Sequence, residues 1–292
     1  MTAVVEPAPA TGATTPERRQ NQRAVARAAH AVVADSSRVV FAAFSAAAIA
    51  YWFRRAGGVW FVGDDWYPLA GRVLDVDGLL EQHAGHLIAL PVVAYRILYW
   101  AFGVRSYTPY LLVTIALHVT IAWQLRSLML RAGVGHWIAT PLVAIWLFFG
   151  PGATNVMFAF QMTLAGSLAL GLFQLRFADH DGTKRRRDAI GALAGVAAVA
   201  CSGVGVAMVA ATGAAVLMRR GLHAAAIQVL PAAAVYGMWF ASPWSDSETT
   251  YPRSTQVWLR GCGSRSTARS WNSVGRRSPR RCSPRCSVAA RG

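Results

Sequence analysis

Long apolar runs separated by short charged segments dominate the chain. This is neither the alternation of a half-buried strand nor the narrow stripe of a surface helix. The first run, Val39 to Phe53, follows Arg18, Arg19, Arg23, Arg27 and Arg38. A polar stretch from Gly57 to His86 comes next, and Leu87 to Gly103 is apolar again but carries Pro91 and Arg96. Further runs occupy Tyr107–Leu125, Trp137–Phe149 and Phe158–Leu175, with Arg126 and Arg131 after the first of them and Gly150-Pro151-Gly152 after the second. Ala189 to Met218 is too long for one span at roughly 1.5 Å per residue, and Ser202-Gly203-Val204-Gly205 supplies the break for a helical hairpin. Leu222–Phe240 completes the series.

Apolar stretches of this length recur too often to be buried core helices, because crossing a bilayer takes about 20 such residues. The expected fold class is all-α: a polytopic helical membrane protein with about seven transmembrane helices plus a juxtamembrane amphipathic helix. Leu87–Gly103 is the ambiguous segment. Treated as a crossing, it would put Lys184-Arg185-Arg186-Arg187 outside, against the positive-inside tendency. Laid flat, it holds Tyr95, Tyr99 and Trp100 at headgroup level. The arginines before the first run hold the N-terminus in the cytoplasm, although Arg54 and Arg55 at its far end argue weakly the other way. The expectation is a multi-pass plasma-membrane protein with an extracytoplasmic acidic loop over residues 57–86, and the lipid bilayer as its first partner.

Composition agrees: 54% of residues are hydrophobic and 14% charged, against about 25% charged in soluble domains. The formal charge of +16 invites a nucleic-acid reading, but ten arginines and no acid lie from Arg253 onward, and without them the excess falls to +6. That residue is ordinary for basic cytoplasmic loops, so no nucleic-acid partner is expected. Residues 1–37 read as a disordered basic cytoplasmic leader, 38–245 as the transmembrane domain, and 246–292 as a basic tail. That tail is either a genuine disordered segment or the product of a frameshift, which would make the chain a truncated one. Cys262, Cys282 and Cys286 lie in the tail without the paired spacing of a zinc site, and Cys201 reads as a packing residue.

Five of the thirteen acidic residues fall between Asp64 and Glu81. Adjacent carboxylates repel and raise each other's proton affinity, so Asp64 and Asp65 could keep one member as a base. Any divalent cation would sit on the same two residues, and the rival reading is a solvated turn marking a helix end. His83 and His86, three residues apart, would share a face if helical; contact with a sugar or phosphate substrate suits them better than metal ligation. Asp75 and Asp77 read as turn and cap residues before Gly78. His118 falls within a crossing and is either functional or a packed interhelix partner. Asn155, Gln161 and Gln174 raise the same alternative, the first two being near the outer face.

The order of these features resembles the GT-C superfamily of membrane glycosyltransferases. The likeness rests on a first helix, an outside Asp64-Asp65, the stretch Glu81-Gln82-His83-Ala84-Gly85-His86-Leu87-Ile88-Ala89-Leu90-Pro91, then Phe102-Gly103-Val104-Arg105-Ser106-Tyr107 leading into the helix with His118. Phe158-Ala159-Phe160-Gln161, Gly166-Ser167-Leu168-Ala169-Leu170, Arg187-Asp188 and Ser202–Gly205 are similar to actinobacterial members of this type. The resemblance covers about residues 38–245. It implies transfer of a sugar from a polyprenyl-phosphate donor on the extracytoplasmic side, with Asp64 or Asp65 as general base or metal-holding carboxylate and His83, His86 and Gln161 toward the substrate. The family chain normally continues through further helices, so the resemblance implies a C-terminally truncated or frameshifted member. The rival from another class is a transporter or non-catalytic membrane scaffold using His118, Gln161 and the Ser202–Gly205 break.

Overall fold

The computed structural model describes residues 16–182 and 184–245; the expected tail, with its three cysteines, and the first part of the expected leader lie outside them. Helix α1 spans Pro16–Arg55. After the polar loop, with its short helices α2 (Trp66–Ala70) and α3 (Val76–Leu80), come α4 (Ala89–Phe102), α5 (Thr108–Arg131) and α6 (His136–Leu147). Short α7 (Ala153–Met157) precedes α8 (Met162–Ala178), α9 (Arg185–Val199), α10 (Val204–Arg220) and α11 (Leu222–Phe240). No strand occurs among the described residues beyond a single bridge between His83 and His86.

Three helices are long and apolar enough to cross a membrane: Ala31–Arg55, Thr108–Arg131 and Leu222–Phe240. The pair His136–Leu147 and Gly150–Met157, bent by 44°, raises the number to four if it counts as one span. Their apolar side chains are not withdrawn into a core: Val39, Ile138, Leu142, Ile145 and Leu230 are all exposed. In water such faces would be sticky patches, whereas lipid solvates them. The chain is therefore read as a membrane protein. Helices α8, α9 and α10, with 17, 15 and 17 residues, fall short of the usual length.

α1 begins at Pro16, so residues 16–37 of the expected leader are helical rather than irregular. Alanine and arginine are strong helix formers, and proline is favoured in a first turn. Hydrogen bonds tie the described helices together at two ends. At the loop end, Trp52 donates to the Leu147 carbonyl (2.8 Å), Leu90 N–H to Ala200 (3.1 Å) and Trp239 to Leu80 (2.6 Å). At the other, arginine-rich end, buried Arg126 donates to Ser37 (2.8 Å) and Thr140 (3.1 Å), tying α5 to α1 and α6.

The second half, α8 to α11, packs through small residues such as Ala194, Ala198 and Ala232, which let helices approach closely. Gly205 shows why: a Cβ there would fall 2.4 Å from the Ala198 backbone. Polar side chains cross the same contacts. Gln174 donates to the Gln228 carbonyl (2.9 Å), and Gln228 to the Asp188 carbonyl (3.1 Å). Gln174 therefore joins helices rather than lining an opening.

Asp188, in the first turn of α9, receives two bonds from Arg220 at 2.8 and 3.0 Å and one contact from His180 at 3.2 Å. Both partners of the pair are nearly buried, at 9% and 8% side-chain exposure. Arg220→Gln is expected to lower the thermal midpoint in detergent by the equivalent of about 2–3 kcal/mol, because it leaves a buried carboxylate short of its donors. Arg219→Gln, on a side chain 57% exposed, should change it little. Equal midpoints for the two variants would show that the buried pair is not a structural tie.

Candidate functional site

The loop between α1 and α4 is held from within by Arg72, a lone cation among acids. Its guanidinium donates to the carbonyls of Gly78 (3.0 Å), Glu81 (2.5 Å) and Gln82 (3.0 Å) and to the Tyr67 hydroxyl (2.9 Å). It also lies 4.4 Å above the Tyr67 ring, a favourable cation–π placement. One side chain thereby replaces the ladder of bonds this irregular backbone lacks. Asp75 caps α3, accepting from Gly78 N–H at 2.7 Å, and Asp77 accepts from Trp244 at 3.0 Å. The expected cap role is present at Asp75, while the Asp77 side chain reaches Trp244 instead.

The acidic pair, at the end of the 3-10 turn Gly63–Asp65, is split by its surroundings. Asp65 is fully buried. Its Oδ1 accepts from the Tyr95 hydroxyl and from Phe160 N–H (3.1 Å), its Oδ2 from the Tyr107 hydroxyl (3.1 Å) and Val62 N–H (3.1 Å). Tyr107 in turn accepts from Ala159 N–H at 2.6 Å. One carboxylate thus joins the loop, α4, the start of α5 and the 3-10 turn Ala159–Gln161, and both of its oxygens are committed. Burial raises the Asp65 pKa above 3.8, against its donors Tyr95, Val62, Tyr107 and Phe160, which lower it. Burial also raises the Tyr95 and Tyr107 pKa values, so both phenols keep their protons and remain donors.

Asp64 points the other way, its side chain 45% exposed, with Oδ1 3.8 Å from His83 Nε2. His83 is buried between the Tyr67 ring (4.3 Å between centroids) and the Phe160 ring (5.0 Å). Its Nδ1 is buried without a hydrogen-bond partner. Burial pushes the imidazole pKa below 6.5; the Asp64 charge opposes this and the Arg72 charge adds to it. The ring is therefore neutral near pH 7, and 3.8 Å is a polar contact rather than an ion pair.

A lowered imidazole pKa has a definite sign in stability. The contribution of neutral His83 is complete above pH 6.5 and is lost as pH falls through the lower, folded-state pKa. Asp65, with its raised pKa, runs opposite: its contribution is complete below 3.8 and is lost as pH rises through the folded value. Thermal midpoints of the wild type and His83→Gln, followed from about pH 7 to about pH 5, separate the two. The wild type should lose stability relative to the variant on acidification, and parallel curves would refute the neutral, buried imidazole.

His83 and His86 do not share a helical face. Their backbones pair with each other (2.9 and 3.0 Å) around Ala84 and Gly85, both at positive φ, a tight turn that glycine makes cheap. The turn sends His83 inward and His86 outward, onto the α9–α10 connection. A Cβ on Gly203 would fall 2.7 Å from His86 Nδ1. The Ser202–Gly205 break thus lies under the histidine turn. Gln161 occupies the same 3-10 turn as Phe160, which touches both Asp65 and His83. Asn155 is exposed on α7.

His118 is placed elsewhere. It stacks on Trp146 (5.5 Å, 22°), meets Trp52 edge-on (6.3 Å) and contacts the Leu147 carbonyl at 3.3 Å, so it clamps α1, α5 and α6. Any divalent cation on Asp64 and Asp65 would have to compete with the four donors that already hold the Asp65 oxygens. Among the described residues no group of three or more histidine, cysteine, aspartate or glutamate side chains could hold a metal. Comparison with protein-family models, curated proteins and solved structures finds no match for this chain.

Proposed function

We propose that this chain is a membrane glycosyltransferase of the GT-C type, moving a sugar from a polyprenyl-phosphate donor to a hydroxyl acceptor on the extracytoplasmic side of the plasma membrane. The observation that carries the reading is the division of labour in the acidic pair: Asp65 is locked into the frame, which leaves Asp64 accessible beside a neutral histidine. In this reading α1, α5, α6 with α7, α8, α9, α10 and α11 make seven crossings. The N-terminus is cytoplasmic, the 57–86 loop is outside, and α4 lies along the interface with Trp100 and Tyr99 turned toward lipid. The arginine-rich end then faces the cytoplasm, in keeping with the positive-inside tendency.

Asp64 acts as general base. It takes the proton of the acceptor hydroxyl, whose oxygen forms a bond to the anomeric carbon as the bond from that carbon to the phosphate oxygen breaks. The phosphate leaves with its charge on the lipid. His83 faces Asp64 and orients it, and His86 and Gln161 contact the sugar. No step requires a resident metal. The test is transfer from labelled polyprenyl-phosphate sugars to saccharide acceptors, with the full chain in proteoliposomes. Label should appear in the acceptor; retention of all label on the lipid across donors would favour a non-catalytic scaffold or transporter.

A further inference from the structure

A second concave site lies at the opposite end of the bundle, between the C-terminal turns of α5, α8 and α10. This cavity of about 320 Å³ has an apolar floor including Leu128, Leu175 and Val216, and a rim of Arg131, Arg219 and Arg220. The rim charges are unevenly matched. Arg220 is held by Asp188 at 2.8 Å. Arg131 and Arg219 share the carboxylate of Asp179, Arg131 at 3.7 Å and Arg219 in direct contact, and Arg219 also meets the fully solvated Asp181 at 3.5 Å. Both guanidiniums are partly exposed, at 37% and 57%.

With five N–H donors each, the two guanidiniums keep donors unspent beyond Asp179, the solvated Asp181 and the Arg176 carbonyl, above an apolar floor. That combination suits a ligand with an anionic head and a hydrocarbon body. Paired guanidiniums grip phosphate oxygens with charge-assisted bonds, and basic pockets between membrane helices recognise acidic lipid headgroups. Interhelical placement lets acyl chains continue along the exposed helix faces.

We propose that this cavity binds a phosphate group, carried by an anionic lipid of the leaflet at the arginine-rich end. The site is separate from the Asp64 loop, and its occupancy does not depend on what chemistry that loop performs. The bound headgroup replaces part of the Asp179 contact and fastens α5 to α8 and α10.

The full chain, purified in a zwitterionic detergent, tests this with short-chain phosphatidylglycerol, phosphatidylcholine of the same chain length, and inorganic phosphate. Thermal midpoint and direct binding are the readouts. Phosphatidylglycerol should raise the midpoint saturably and phosphatidylcholine should not. Arg131→Gln/Arg219→Gln should weaken phosphatidylglycerol at least ~10-fold, the loss of about one charge-assisted bond. Asp179→Asn, which keeps both arginines and removes their competitor, should tighten it, so the test survives poor folding of the double variant. Equal effects of the two lipids, or unchanged affinity in both variants, overturn the proposal. Inorganic phosphate matching the lipid and losing its effect in the double variant would overturn the lipid source and leave a free-phosphate site.

Discussion

Asp65→Ala is expected to collapse the loop end of the bundle, lowering folding stability in detergent by about 4–5 kcal/mol. The loss goes beyond a missing side chain, because four donors converge on the removed carboxylate. The Tyr95 and Tyr107 hydroxyls can rotate toward other acceptors, but the Val62 and Phe160 N–H groups are fixed by the backbone. Each buried donor left without a partner costs about 1–3 kcal/mol. Asp65→Asn should fall between: its carbonyl keeps one N–H, while its amide presents donors to the other. Asp64→Ala, on a half-exposed residue whose one contact with the frame is the long 3.8 Å approach to His83, should change stability by less than about 0.5 kcal/mol. Thermal unfolding followed by tryptophan fluorescence distinguishes them, since Trp60 and Trp66 flank the turn. Equal midpoints for Asp64→Ala and Asp65→Ala would remove the structural role of Asp65.

The bundle's helices were largely legible because long apolar runs are set by local composition. The hairpin within Ala189–Met218 and its break near Ser202 could be read from length and glycine, and the structure divides it between Val199 and Val204. The start of α1 was not legible, since its alanine- and arginine-rich sequence satisfies both a solvated leader and a helix. Lys184 to Arg187 read as a loop, yet α9 begins at Arg185. Positive charge is unfavourable at a helix N-terminus, and what offsets it is distant in sequence: Arg187 donates to the Arg176 carbonyl (3.1 Å) and Asp188 pairs with Arg220. The site was half legible. Clustering of acids located the loop, but adjacency made Asp64 and Asp65 look equivalent. Their difference comes from Tyr95, Tyr107 and Phe160, which lie 30, 42 and 95 residues away. Arg72 shows in the sequence only as a single cation inside an acidic stretch, with nothing local to announce the carbonyls it gathers.

Asp64→Asn carries the functional reading, and its expected result is loss of sugar transfer by about 10²–10⁴-fold, the usual contribution of a positioned general base. The amide keeps the size and polarity of the carboxylate but cannot accept the acceptor's proton, so kcat should fall with little change in KM or in thermal midpoint. The same substitution should be silent in a transporter or scaffold. His118→Ala is the complementary experiment. Its ring is packed among Trp52, Trp146 and the Leu147 carbonyl, so it should lower the midpoint and reduce activity only in proportion to folded protein. Full activity in Asp64→Asn, together with loss in folded His118→Ala, would move the functional centre from the loop into the bundle and leave the transferase reading without its base.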